Sequence, residues 1–537
     1  MNPLKTLRSM NGRFVVLGIF CLCAVVLLSA SPSVARPTYA SYDEENSIIY
    51  SSGEPETIDP ALTRSGAGGI IGDLFSGLVV LDPNMKVRPA LATQWQISPD
   101  GMTYTFALDP NAKFSDGSSL TSADVVYSWE RAAHPDTASE TVLLYLGDVV
   151  GVADYQAGSA SQIAGLSAPD AHTIVVQIDA PKPYFLAKLT YPVSWVVQQD
   201  NVESANWEEN PIGSGPFRQV QHIENDIWIL ERNPYYNGIR PAVSNVVYQM
   251  YKGYSQRLYQ NDEVSMTGIA KDQLSLAENP SDLLYGQVYP QVSLCTSYVT
   301  FNSQEPPFDD PLVRQAFVHA FDQARYMEAI THHEDIPAHG ILPPGVPGYS
   351  ATASAYAYDP ELAKNLLAKS KYANNLPELV WTISTSGSYT DSSVAILQSM
   401  WEETLGAQIQ VVGIDWYDYY DEISAGNFGN LLSEGWCADY IDPENFLDLL
   451  FHTGTSQNTG GYSSAAYDQL LEQARVETDP QARIALYQQA ERLLVEDAPA
   501  LFLSHSGPGY ALLKPYLFGY TPAPIGVPQN HLMWIQS

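Results

Sequence analysis

The chain has 537 residues, 45% hydrophobic and 16% charged, with a formal net charge of −34. That length exceeds a single compact core and calls for two or more domains, and the composition is that of a loop-rich globular protein, not a disordered one. So acidic a surface is repelled by phosphate backbones and anionic lipid, which sets nucleic-acid binding aside.

At the N-terminus, Lys5, Arg8 and Arg13 precede the apolar run "FVVLGIFCLCAVVLL", and "SPSVA" then offers Ser33 and Ala35 at small-residue cleavage positions. Residues 1–35 read as a secretory signal peptide; the run is shorter than the ~20 residues a bilayer crossing needs. Phe20 and Leu22 stand directly before Cys21 and Cys23, so a lipid-attachment site is not expected. Cleavage removes three of the 26 Lys and Arg, leaving 23 against 60 acids, and two of the four cysteines, leaving Cys295 and Cys437. In an oxidising compartment these form one disulfide or remain two buried thiols. A bridge over so long a loop contributes at most roughly 5 kcal/mol in the chain-entropy picture.

After the leader, "SIIYSS" begins a β-rich run, and strands are predicted at 104–108, 173–178 and 244–250. "GAGGIIG", Gly66 to Gly72, lacks the strand that a dinucleotide fingerprint needs before its first glycine, and reads as flexible backbone able to approach a ligand. Helix starts are predicted at Asp310-Pro311, Asp359-Pro360 and Asp479-Pro480, with Asp as cap and Pro at the first helical position. From Leu312 through Val313, Ala316, Phe317, Ala320 and Phe321 to Ala324, apolar residues recur on one helical face. Strands mixed with amphipathic helices indicate α/β layers in several lobes.

"THHED", 331–335, reads as a solvated helix end, because adjacent side chains diverge and no spaced His or Cys set completes a metal sphere. Neither H-E-x-x-H nor G-x-S-x-G occurs. The carboxylates of "DWYDYYDE", 415–422, reveal no catalytic pair. The 34 Tyr and 10 Trp suit a pocket that accepts varied side chains. In "GWCADYIDP", 435–443, Asp439 follows Cys437 by two residues and has two readings. It caps a neighbouring turn, or it is a fixed, partly desolvated carboxylate suited to a ligand ammonium.

"GEPETIDP", "SPDGMTYTF", "FSDGSSLTSADVVYSWER", "GSGPF", "LERNPYY", "LCTSYVTFN", "PFDDPLVRQAF", "GWCADYIDP" and "LLKPYLFGYTP" occur in an order that resembles the oligopeptide-binding proteins of ABC importers, family 5 of the extracellular solute-binding proteins. The resemblance implies a two-lobed α/β fold of the periplasmic-binding-protein type II (Venus flytrap) kind with an extra domain. Lobe I would take residues 41–76, 202–294 and 508–537, the extra domain 77–201, and lobe II 295–507. It also implies a disulfide between Cys295 and Cys437 and an Asp439 that receives the α-amino group of a short peptide. Trp436 and Trp416 would line side-chain pockets. Backbone around Cys437, and around Arg64, Ser65 and Gly66 on the facing lobe, would pair with the extended peptide.

Where the family places arginines and a histidine on the ligand's carboxylate, this chain has "GNLLSE" and Tyr389, and Ser384 replaces an asparagine. The expectation is a monomeric, non-catalytic periplasmic receptor that needs no cofactor or metal and delivers short peptides to an ABC-type permease. The alternatives are a sugar, opine-like or nickel-complex ligand on the same fold, and, more remotely, an exported hydrolase.

Overall fold

The computed structural model describes residues 39–536 apart from 65–67, 270–272, 278, 352–356, 374, 386–391, 523 and 526–528. The signal peptide expected at 1–35 lies outside the described residues. All the elements below belong to the compact unit Ala40–Ser537.

The strand Ile227–Arg232 begins with four consecutive buried residues. It lies inside a sheet ordered Ser47–Ser52, Asn245–Met250, Ile227–Arg232, Phe217–Ile223, and both of its faces are packed. Trp228 and Leu230 enter one core cluster, while Ile227 and Ile229 enter another, as the two-residue period of a strand requires. The first pair in this sheet is parallel and the rest antiparallel. A three-stranded sheet of Met266–Gly268, Gly509–Leu513 and Val288–Gln291 brings the C-terminal part of the chain back, and Ala511 and Leu513 join the larger cluster.

A second antiparallel sheet is ordered Ala92–Ile97, Thr103–Leu108, Thr173–Gln177, Leu166–Asp170. Tyr104, Phe106 and Leu108 alternate inward, and with Ile174 and Val176 they share a core with Trp129 of the helix Ser122–Ala133. Asp124 starts that helix by accepting from the Thr121 amide at 2.7 Å.

The largest sheet has six strands in the order Ile336–Pro337, Ala500–His505, Cys295–Phe301, Leu431–Cys437, Leu379–Thr385, Ile409–Asp415. Helices around it bury Trp401 and Phe317, with Phe321 of a connecting segment, alongside Trp381 of the sheet. The three Asp-Pro starts form as expected: Asp310, Asp359 and Asp479 accept from the amides of Leu312, Leu362 and Ala482 at 3.0, 2.8 and 2.8 Å. The apolar stripe that runs to Ala324 is divided between two helices, Pro311–His319 and Gln323–Ala329. The break falls at Asp322, whose side chain caps the second helix by accepting from Arg325 N at 3.0 Å. His332 and His333 lie beyond that helix in left-handed backbone, at φ of 50° and 60°.

Candidate functional site

Cys295 and Cys437 sit directly opposite each other on adjacent antiparallel strands, and a disulfide joins them with an S–S distance of 2.08 Å. On its other side the strand Leu431–Cys437 pairs with Leu379–Thr385 only at Leu431 and Leu432. Tyr419 then donates its hydroxyl to the Ser433 carbonyl at 2.7 Å. Among the described residues no strand covers that edge from 434 to 437, and Gly435 and Cys437 are exposed. An open, disulfide-fixed edge of this kind can accept an extended chain through main-chain hydrogen bonds.

Asp439 stands just past this edge. Its amide donates to Asn445 Oδ1 at 2.9 Å, and Asn445 Nδ2 donates back to Asp439 Oδ2 at 3.3 Å. Asn445 is rigidly placed because it is wholly buried in the first turn of the helix Glu444–Phe451. A second donor, the Tyr145 hydroxyl, reaches the same Oδ2 at 2.6 Å. The Tyr145 ring is stacked on Tyr191, with centroids 3.7 Å apart and planes at 3°. Burial pushes the Asp439 carboxyl up to about 6 against the pull of these two hydrogen bonds. Burial and the neighbouring Asp439 raise Tyr145 well above its ordinary value, so it remains a donor.

Asp439 lines a cavity of about 240 Å³ together with Cys437, Ala438, Gly72, Asp73, Tyr191 and Trp195. Gly77 permits the tryptophan's position, since a Cβ there would lie 2.7 Å from the Trp195 ring. Asp73 is 2% exposed and accepts from the Tyr248 hydroxyl and Asn530 Nδ2 at 2.8 and 2.9 Å. Burial pushes its carboxyl up to about 7 despite these bonds. His531, also in the wall, is lowered to about 4 by burial and is neutral.

Of the residues singled out in the sequence, Asp439 and Cys437 are in the cavity wall. Trp436 is half-buried, packs against a core cluster and points Nε1 at Asn445 Oδ1, 3.3 Å away; it is not among the cavity-lining residues. The Arg64 guanidinium lies on Glu140 and Asp421 at 2.8 and 3.0 Å, with Glu56 at 3.8 Å. Ser384 belongs to the strand Leu379–Thr385, and its buried Oγ has no hydrogen-bond partner among the described residues. Trp416 opens the helix Trp416–Ser424, while Ser65, Gly66 and Tyr389 lie outside the described residues. Tyr145, Asn445, Asp73 and Trp195 were not anticipated. The sequence signals near them were the abundance of Tyr and Trp, the glycine-rich approach to Asp73 in "GAGGIIG", and the motif ending at Pro443 just before Asn445. Among the described residues no group of three or more His, Cys, Asp or Glu is arranged to hold a metal ion, and no helix is long and apolar enough to cross a membrane.

The family model for bacterial extracellular solute-binding proteins, family 5 Middle, matches residues 86–458. The periplasmic oligopeptide-binding protein OppA of Escherichia coli is 28% identical over 93% of this chain and 94% of its own. The probable deoxycholate-binding periplasmic protein YgiS of the same organism is 31% identical over 95% of this chain and 97% of its own. The structure of the E. coli murein tripeptide binding protein MppA superposes with a TM-score of 0.81 at 29% identity, covering 92% of this chain and 99% of that one. The unliganded open form of MppA gives 0.68 at 30% identity over 92% and 98%.

Proposed function

The chain belongs to the bacterial extracellular solute-binding proteins of family 5, and from that premise we propose that it is a periplasmic receptor that captures short peptides and passes them to an ABC-type permease. It acts as a monomer and without catalysis. The observation that carries this reading is the pairing of one partly engaged carboxylate with one open strand edge at the wall of a single cavity. Both hydrogen bonds to Asp439 land on Oδ2, so Oδ1 is the oxygen on which an α-ammonium would settle. The edge at 434–437 would take the peptide backbone, giving affinity that does not depend on side-chain identity. Names of relatives support a peptide ligand through OppA and MppA.

The proposed lobes, 41–76 with 202–294 and 508–537 against 295–507, agree with the way strands are shared among sheets. The cavity draws its wall from all of them and from the proposed extra domain, 77–201. A higher TM-score to the MppA structure than to its unliganded open form, 0.81 against 0.68, supports a closed arrangement here. The 240 Å³ cavity lies just under the roughly 300–1,000 Å³ of pockets for drug-sized ligands.

Native mass spectrometry of protein purified from an exporting host tests the reading directly. Released peptides of mixed sequence and a free amino end are expected. A single non-peptide species, such as a bile acid like the deoxycholate in the name of YgiS, would replace the reading with its alternative.

A further inference from the structure

The segment 372–474 contains fifteen Asp and Glu residues and not one Lys or Arg. The fold uses this segment to build the strands Leu379–Thr385, Ile409–Asp415 and Leu431–Cys437 and the helices Trp416–Ser424 and Glu444–Phe451. It therefore supplies both the open edge and Asp439. Across the cavity the wall adds Asp73 and Asp82, the latter already paired with Arg88 at 2.8 Å, and among the described residues no lysine or arginine lines it.

Cations packed near this wall are already engaged. Lys188 lies 3.0 Å from Glu444 and 3.2 Å from Asp148. Arg475 grips Asp448 through two bonds of 2.6 Å, and Arg483 grips Asp442 through bonds of 2.8 and 2.7 Å. Arg64 is held by Glu140 and Asp421. Breaking any of these pairs to serve a ligand would strand a carboxylate. A ligand carboxylate enclosed here would thus lose its water, find no cation, and be repelled by Asp439.

Resting on the reading of Asp439 as an amine site, we propose that this receptor selects short peptides whose C-terminal carboxylate is masked as an amide or carried outside the cavity, and discriminates against small zwitterionic peptides. The positive end of the ligand is matched by the wall and the negative end is not.

Calorimetric titration near neutral pH, on protein freed of ligand by denaturation and refolding, separates the possibilities with three probes: Ala-Ala amide, Ala-Ala free acid, and N-acetyl-Ala-Ala amide. The amide should bind about ten-fold tighter than the free acid or better, the size of one unscreened like-charge contact at moderate distance. The acetylated amide should be weakest. Free acid binding as tightly as the amide overturns the proposal while leaving the amine site standing. Acetylated amide binding as tightly as the free-amine amide overturns the amine site itself, as does silence of all three probes. In a second arm, Val80→Arg places a cation on the cavity wall at a position that is 40% exposed, and it should narrow the amide-to-acid ratio. An unchanged ratio would overturn the electrostatic basis of the selection.

Discussion

The Tyr145 hydroxyl donates to Oδ2 of Asp439 at 2.6 Å, joining residues 294 positions apart in the chain. With Asn445 on the same oxygen, the carboxylate is held in one rotamer before any ligand arrives. Preorganisation of this kind removes an ordering cost from binding. Asp439→Asn keeps the shape and deletes the charge. It should weaken a free-amine peptide by about 2–5 kcal/mol, the range for truncating one member of a buried charge pair, and leave the N-acetylated peptide nearly unaffected. Calorimetry with both ligands checks this, and equal losses would assign Asp439 a structural role.

Opposite pH dependences are expected for the fold and for binding. Asp439 is raised to about 6, and Asp73 and Glu434 to about 7, in each case chiefly by burial. Each native carboxyl thus holds its proton in a range, above about pH 4, where the unfolded chain has lost it. Their stabilising contribution is complete below about pH 4 and disappears as pH rises through 6 to 7. Amine binding at the proposed Asp439 site needs the ionised carboxylate and is expected to strengthen over the same interval. Scanning calorimetry from pH 5 to 8 should show the ligand-free Tm falling while the ligand-induced increment grows. Parallel movement of the two would contradict the assignment.

Tyr145→Phe isolates the positioning bond. The ring stack on Tyr191 is retained, so the loss of stability should be about 1 kcal/mol, the net worth of one hydrogen bond. Without that donor the Asp439 carboxyl rises above about 6, and the pH midpoint of peptide binding should move upward with it. A variant that lowers affinity equally at every pH would show Tyr145 acting only as packing.

The parts of this site that were legible in the sequence are those whose chemistry is compressed into a few consecutive residues. Cys437 and Asp439 lie within one short motif, and the Asp-Pro helix caps act over two or three residues, so both could be read locally. Tyr145, Asp73 and Trp195 reach the cavity from separate segments, and no local spacing encodes their convergence. Trp436 shows the converse limit. The motif alone does not give its surroundings: the half-buried ring packs against a core cluster beside Asn445. The break at Asp322 was likewise hidden, because the apolar spacing continues across it while the capping side chain interrupts the backbone.

The disulfide should matter to both stability and affinity. It closes a sequence separation of 142 residues, and losing such a bridge typically costs about 2–5 kcal/mol. It also pins the end of the strand whose far edge is open, so reduction frees the backbone proposed to pair with the peptide. Cys295→Ser with Cys437→Ser, compared with the oxidised protein by urea titration and peptide calorimetry, should lose in both measurements. Lower stability with unchanged affinity would confine the bridge to the fold.

Arg64 ties the loop after the first strand to Glu140 and to Asp421 of the helix Trp416–Ser424, two contacts that come from the proposed extra domain and second lobe. Its partners Glu140 and Asp421 are 44% and 71% exposed, and exposed ion pairs contribute only about 0–1 kcal/mol each. Arg64→Ala should therefore leave the denaturation midpoint almost unchanged. Closure is a different matter, because a contact made in only one of two lobe arrangements shifts their populations even when it adds little to folding stability. Faster peptide dissociation in stopped-flow displacement, together with a larger radius of gyration by solution scattering, is the expected outcome. The double variant Arg64→Ala with Asp421→Ala should add little beyond the single one, because both remove the same contact. Additive effects of the two would mean that Arg64 and Asp421 act separately, and that closure of the lobes is held by other contacts.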